Sequence, residues 1–260
     1  MDVNILADRA QILLLVLMRV AGAFSFAPVL SRSNIPLTAR AGTTLLITVV
    51  VSGVLPETVM QFDLTAPAGV YLFSLMREFL MGVVLGTVTN WFFQMVLFSG
   101  EVIDMQAGLG MAKVFDPGTQ AQMSLFGSVY NFLLYFYYLA TNSHLTFIKI
   151  LTDSFATIPL GDGGFAPELA PHMFDLFAGI FTLAVKLTLP LMIAELIVQV
   201  AIGLLMKSVP QIHIMVLNIE VKVVLGIFML FLIVTPTANF LDNYLTTCFN
   251  TLKDVLFYLT

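Results

Sequence analysis

Long apolar stretches, separated by short polar segments and prolines, run along almost the whole of the 260-residue chain. A membrane-crossing helix requires about 20 mostly apolar residues, and the pattern predicts six such spans. They are 10–30, 41–55, 68–100, one within 117–148, 176–206 and 223–241. The stretches lack two-residue alternation, and backbone groups in lipid are satisfied most simply within helices. The pattern therefore predicts an all-α, polytopic membrane-type fold.

Composition indicates the same class of protein. Apolar residues make up 59% of the chain and charged residues only 10%, whereas a soluble domain has about 25% charged residues. Polar side chains are therefore too few to coat a soluble globule of this length. The length itself fits a single domain over 1–260. The net charge of −5 gives no basic surface for nucleic acid, and the single cysteine, Cys248, excludes an internal disulfide.

Several charged residues lie inside the apolar stretches, where a charge usually faces protein or water. Arg19 interrupts the first stretch, which we interpret as a retained span and not as a cleaved secretory signal. Arg77 and Glu78 are adjacent and point about 100° apart, so each is expected to find a partner on another helix or chain. Lys186 and Glu195 are predicted on opposite faces of one helix. We favour buried pairing with neighbouring subunits over a transport relay.

The charges of the loops predict an orientation. The loop with Arg32 and Arg40 and the segment 207–222 are basic, which favours the cytoplasmic side. Six crossings then place both termini outside the cytoplasm. The segment 101–116 would be cytoplasmic although it holds three acidic residues and one lysine. This mismatch suggests that partner proteins, and not lipid alone, surround much of the chain.

Two motifs concern packing and chemistry. Gly82 and Gly86 lie four residues apart on one face of the third span, a spacing that allows two helices to approach closely. His144, His172 and His213 do not lie at metal-ligand spacing with one another or with a cysteine or carboxylate. Phosphate-loop, nucleophile-elbow and zinc-protease motifs are also missing from the sequence, so we predict neither a cofactor nor an enzymatic activity.

The most unusual segment is 100–119, which reads GEVIDMQAGLGMAKVFDPGT. Gly108 and Gly110 break the helical pattern, and Asp116-Pro117-Gly118 is a turn signal. Such a glycine-containing, apolar, lightly charged segment is poorly suited to solvent. It suits the interior of a pore or protein, where non-helical backbone is tolerated at membrane depth. The alternative is an ordinary corner between two helices.

At these residues the chain resembles the FliR family of export-gate proteins of the bacterial flagellar type III secretion system. Four segments carry the resemblance: 18–40, 77–86, 100–119 and 203–213. It covers essentially the whole chain, and the third segment is the most specific and looks like the flagellar branch. The family more often has arginine where this chain has Lys207, which keeps the charge but loses bidentate geometry.

The resemblance implies an architecture and a function. Helical hairpins stack with homologous FliP-like and FliQ-like subunits in a helical export-gate assembly in the bacterial inner (cytoplasmic) membrane, within the flagellar basal body. FlhB-like and FlhA-like export components are neighbours, and unfolded flagellar proteins are the substrates. The implied channel plug comprises Met105, Gln106, Ala107, Gly108, Leu109, Gly110, Met111, Ala112, Lys113, Val114, Phe115, Asp116 and Pro117. The implied helix or subunit packing residues are Gly82, Gly86, Arg77, Glu78, Pro210 and Gln211.

Two other classes of function stay open at this point. A small-solute secondary transporter would be a self-sufficient bundle with substrate groups near the membrane midplane. An intramembrane enzyme would need a constellation of reactive residues that the sequence does not offer. Native mass measurement separates the export gate from the transporter. The gate predicts a large hetero-oligomer, whereas the transporter predicts an active monomer or homodimer.

Overall fold

A computed structural model of the chain describes residues 3–28, 35–56, 59, 62, 67–109, 124–208 and 214–259. These residues form seven α-helices and no strand, which confirms the all-α prediction. The helices are α1 (Val3–Phe26), α2 (Leu37–Val54), α3 (Ala68–Gln106), α4 (Leu125–Ala140), α5 (Ser143–Thr157), α6 (Leu169–Ser208) and α7 (Ile214–Phe257).

Prolines and hydroxyl caps set most of the helix ends. Pro36 and Pro67 stand immediately before α2 and α3, where a missing N–H costs nothing. Helix α2 ends just before Leu55, because the residue that precedes Pro56 is restricted to extended conformations. Helix α4 begins at Ser124, whose hydroxyl accepts a hydrogen bond from the Gly127 N–H at 2.7 Å.

The structure corrects the fourth predicted span. The apolar stretch 117–148 contains a turn, because α4 ends before Thr141 and Asn142 begins α5 in a left-handed conformation with φ 56°. Asparagine tolerates this conformation better than most residues. Four helices of the described chain are long and apolar enough to cross a membrane. Their apolar lengths are Arg9–Phe26, Leu37–Val54, Ala68–Gln106 and Leu169–Leu205.

The chain folds into two compact units. The first unit is Met1–Phe92, Asn142–Leu176 and Thr246–Thr260, and the second unit is Phe93–Thr141 and Phe177–Leu245. The boundaries fall inside α3, α6 and α7, so these helices contribute to both units. Buried apolar side chains form the core of each unit, including Leu15, Val20, Leu151, Phe155 and Leu252 in the first and Phe93, Phe126, Leu134, Leu187 and Leu191 in the second. The single domain stays a prediction.

Candidate functional site

In the first unit, the predicted glycine pair lies against the backbone of α1. A Cβ atom added to Gly82 would overlap the Arg19 carbonyl oxygen and lie 2.7 Å from the Ala23 nitrogen. A Cβ atom on Gly86 would overlap the Ala23 carbonyl oxygen. Gly22 makes the reciprocal contact, because its Cβ atom would lie 2.9 Å from the Val83 nitrogen. The two helices therefore meet backbone to backbone within this chain, as small residues permit.

Beside this contact, Arg19 is fully buried and all five of its N–H donors have acceptors. The guanidinium forms a fork on the Glu78 carboxylate, with Nε to Oε2 at 2.6 Å and Nη2 to Oε1 at 3.2 Å. Nη1 donates to the carbonyl and hydroxyl oxygens of Ser154 at 2.9 and 3.2 Å, and Nη2 donates to the Ile158 carbonyl at 3.0 Å. The Phe155 ring lies 4.2 Å from Cζ.

This arrangement joins three helices through one side chain. Ser154 and Ile158 belong to the last turn and cap of α5, where carbonyl groups carry partial negative charge, and the Ser154 carbonyl also accepts from the Ile158 N–H. Arg19 of α1 satisfies them while its charge is neutralised by Glu78 of α3. Of the two alternatives that the sequence left open for Glu78, another helix or another chain, the structure shows a partner on another helix of this chain.

Arg77 differs from its neighbour Glu78, as their angular separation predicts. Its half-buried guanidinium donates to the Gly161 carbonyl at 3.3 Å and lies 5.7 Å from the centre of the Phe73 ring. The Gly161 N–H in turn donates to Glu78 Oε1 at 3.0 Å. Gly161 has φ +83°, a conformation that favours glycine, so the turn after α5 is shaped to bridge the two charged residues.

In the second unit, α3 ends at the first residues of the predicted plug. Gln106 is the last helical residue, and its carbonyl oxygen accepts a hydrogen bond from Lys222 Nζ of α7 at 2.9 Å. Lys222 is buried and also donates to Gln199 Oε1 of α6 at 3.2 Å. Gly108 follows with φ +80°, the left-handed conformation typical of a helix C-terminus. The ammonium group thus caps α3 where its carbonyl groups are unsatisfied.

Asp104, near the C-terminal end of α3, fixes the first turn of α4, the helix that follows the predicted plug. The buried Asp104 carboxylate accepts a hydrogen bond from the Phe126 N–H at 3.1 Å, in the first turn of α4. A negative charge is favourable at a helix N-terminus. A Cβ atom on Gly100 would overlap the Gly127 backbone, so α3 and α4 also make a close glycine contact. The residues on both sides of 110–123 are therefore held by charged side chains.

The two charges predicted on opposite faces of α6 are separated in the structure. Lys186 is exposed, whereas Glu195 is 1% exposed. Neither carboxylate oxygen of Glu195 accepts a hydrogen bond from the described residues. Lys222 and Asp104 are the charged groups that act on it electrostatically. A buried acidic side chain with no hydrogen-bond donor among the described residues is a feature that packing alone does not explain.

The structure describes only part of the predicted plug. Met105 and Gln106 end α3, and Ala107, Gly108 and Leu109 form the turn that follows. The predicted plug residues from 110 to 117 lie outside the described residues, as do Pro210 and Gln211. Met105 is 64% exposed, whereas Ala107 is buried. The plug assignment therefore stays a prediction.

Several important residues were not assigned to a site from the sequence. They are Arg19, Gly22, Asp104, Ser154, Glu195, Gln199 and Lys222. Arg19 and Glu195 were recognised as charges in apolar stretches, but nothing in the sequence identified their neighbours. Gly22 carried a signal, because it stands between two alanines at a helical position. Lys222 carried a weaker sequence signal, because it stands next to the apolar stretch that begins at 223.

Comparison with known proteins agrees with this architecture. The family described as bacterial export proteins, family 1, matches residues 10–248. The flagellar biosynthetic protein FliR of Pectobacterium carotovorum is 31% identical over 243 residues, which cover 92% of this chain and 90% of that protein. FliR of Escherichia coli K12 is 28% identical, with coverage of 92% and 90%. FliR of Bacillus subtilis is 24% identical, with coverage of 97% of each chain.

The relatives match over about nine-tenths of both chains, and the family match includes residues of every helix described above. They agree with the membrane-type helices of the chain. This chain therefore belongs to the bacterial export protein family 1, with the FliR proteins, and is a membrane protein component of flagellar biosynthesis and export.

Proposed function

We propose that this chain is a non-enzymatic core subunit of the flagellar type III export gate, which helps to form and to plug a channel for unfolded flagellar proteins. The observation that carries the proposal is the way in which the segment after α3 is held. Lys222 caps its beginning at Gln106, and Asp104 binds the helix that follows it at Phe126. A segment fixed at both ends can leave and re-enter a lumen without losing its position.

The composition of the proposed plug suits a seal. Apolar side chains can exclude water and ions by dewetting a constriction. The segment supplies Met105, Leu109, Met111, Val114 and Phe115. Methionine is unbranched and adapts to irregular surfaces, which favours a seal that must form again after each passage. Gly108 supplies a left-handed backbone position at which the chain can change direction.

The outward faces of the helices support an assembled state. Large apolar side chains are exposed on α2, α6 and α7, including Leu46, Val49, Ile197, Val200, Leu204, Phe228 and Phe231. Contiguous exposed apolar surface is covered by lipid or protein in a stable molecule. We propose that FliP-like and FliQ-like subunits cover these faces, that FlhB-like and FlhA-like components are neighbours, and that the assembly resides in the inner membrane.

The test is to shorten the segment within 109–117 in cells that express the whole gate. We expect assembly, measured by pull-down of the partner subunits, to be kept, and the inner membrane to leak small ions. A second variant keeps the length and replaces Leu109, Met111 and Phe115 by serine, which removes only the apolar seal. If the shortened chain assembles and the membrane stays tight, the plug assignment is wrong. If assembly fails, the segment is a structural corner.

A further inference from the structure

The Glu195 carboxylate is a buried ionisable group of the second unit whose chemistry the proposed function does not use. It is 1% exposed, and neither oxygen has a hydrogen-bond donor among the described residues. A carboxylate taken out of water without a donor is unfavourable unless a cation or a proton compensates it. The charged groups that act on it electrostatically are Lys222 of α7 and Asp104 of α3.

Lys222 acts on Glu195 electrostatically but makes its hydrogen bonds elsewhere. Its ammonium group has three donors, of which two are used, one on the Gln106 carbonyl and one on Gln199 Oε1. Gln199 follows Glu195 by one helical turn on the same face of α6. The ammonium group therefore bonds one helical turn away from a carboxylate without a donor while it caps the end of α3.

We propose that Glu195 is an alternative acceptor for Lys222, and that transfer of the ammonium group from the Gln106 carbonyl to the Glu195 carboxylate releases the end of α3. The proposal rests on the proposed function, because Gln106 is the last helical residue before the proposed plug. In the described state Lys222 caps α3 and Glu195 has no partner. In the released state Lys222 and Glu195 form an ion pair, and the Gln106 carbonyl loses its cap.

The capped state has the hydrogen bond from Lys222 to Gln106, and the released state has the ion pair of Lys222 with Glu195 in its place. Pairing would compensate the buried charge of Glu195, but it would leave the last carbonyl groups of α3 without their cation. Asp104 opposes the release, because its negative charge disfavours ionisation of the Glu195 carboxyl group. A small difference between opposing terms makes a two-state element that a partner or a substrate can bias.

The test follows the distance between α3 and α7 in the full chain assembled with its partner subunits. Spin labels are attached to cysteines placed at Met105 and Val224, two exposed positions. The natural Cys248 is fully buried and stays in place. We expect two distance populations. Glu195→Gln, which has the same shape without the charge, should lose the released population, and Lys222→Met should lose the capped one.

Two control variants remove exposed charges from α6, the helix that carries Glu195. Lys186→Met is the control for Lys222→Met, and Asp175→Asn is the control for Glu195→Gln. Neither should change the distances, because both side chains are exposed on α6. A single distance population in the parent chain, or two populations kept in Glu195→Gln, overturns the exchange. A shift produced equally by the controls also overturns it. If Lys222→Met does not assemble, the isosteric Glu195→Gln variant decides alone.

Membrane permeability, measured on the same variants, separates this proposal from the plug. We expect Lys222→Met to increase the leak of small ions and Glu195→Gln to keep the membrane tight. Distances that change as expected in a membrane that stays tight throughout would support the exchange and overturn the plug assignment. The opposite result is also decisive. If the distances stay unchanged in the Glu195 and Lys222 variants but the membrane leaks when the segment is shortened, the plug is supported and the exchange is overturned.

Discussion

The Arg19 network of the first unit and the Glu195 cluster of the second treat a buried charge in opposite ways. Every donor of Arg19 has an acceptor, and the charge of its carboxylate partner is matched. Glu195 is equally buried and has no donor among the described residues, while Lys222, which acts on it electrostatically, bonds to a carbonyl and an amide. Saturation fixes one geometry, whereas the proposed exchange requires a group whose hydrogen bonds are not all made.

The comparison also separates stability from function. Desolvation of an ion pair is costly, and pairing with full hydrogen bonding is needed to offset it. The Arg19 network satisfies that requirement and joins α1, α3 and α5, so its loss should unfold the unit. The Glu195 carboxylate contributes no bond in the described state, so its loss should leave the unit folded. Three changes test this difference, from the largest expected effect to the smallest.

The largest effect is expected from Arg19→Met, which leaves the Glu78 carboxylate buried without its cation. Breaking a buried pair from one side costs about 3–5 kcal/mol, a large part of the stability of a typical domain. We expect loss of assembled complex and a lower thermal midpoint of the purified assembly. Arg9→Gln, a change of an exposed arginine on the same helix, is the control. Equal stability of Arg19→Met and Arg9→Gln would contradict the central role of the network.

An intermediate effect is expected from Gly82→Ala. The added methyl group would overlap the Arg19 carbonyl and force α1 and α3 apart, at a cost of about 1–3 kcal/mol. Gly42→Ala and Gly53→Ala are matched controls on α2, where the added Cβ atom meets nothing within 4 Å. They should be neutral or stabilising, because alanine favours helices by about 0.5–1 kcal/mol. We expect Gly82→Leu to block assembly, and complex yield together with swimming motility measures both changes.

The smallest loss of stability is expected from Glu195→Gln, which removes no hydrogen bond among the described residues and relieves a buried carboxylate that has no donor, so stability should not fall. Cys248 of the first unit provides a local readout for this comparison. Burial raises the pKa of the Cys248 thiol, and only the thiolate reacts with maleimide, so labelling is slow until the unit opens. Labelling should be fast in Arg19→Met and as slow as in the parent chain in Glu195→Gln. The thermal midpoint of the assembled Glu195→Gln variant measures the second unit itself, and a fall as large as that of Arg19→Met would show that the Glu195 cluster is structural.

The sequence was sufficient for features that depend on nearby residues. Helical periodicity, the spacing of Gly82 and Gly86 and the helix-breaking Gly108 all have local signals, and the structure contains the corresponding helices, contact and turn. The end of α4 was missed because Thr141 and Asn142 interrupt an apolar stretch without a proline or glycine. The turn depends on the left-handed conformation of Asn142, which the sequence pattern does not specify.

The sites could be predicted less completely than the helices, because their partners are far apart in the chain. Arg19 lies 59 residues from Glu78, and Lys222 lies 116 residues from Gln106. Charge in an apolar stretch indicated that partners were needed, but it did not indicate whether they belonged to this chain or to another. Arg19 and Glu195 look alike in sequence, and only the three-dimensional arrangement shows that one is saturated and the other is not.

The Arg19 network has a consequence for the order of biosynthesis. A ribosome adds about 5–20 residues per second, so the 59 residues between Arg19 and Glu78 take roughly 3–12 s to synthesise. The Ile158 carbonyl, 139 residues after Arg19, follows after roughly 7–28 s. During that interval α1 carries a cation whose acceptors do not yet exist. The hydrogen bonds that later stabilise the first unit therefore cannot assist the entry of α1 into the membrane. All acceptors of Arg19 are present only after α5 has been translated.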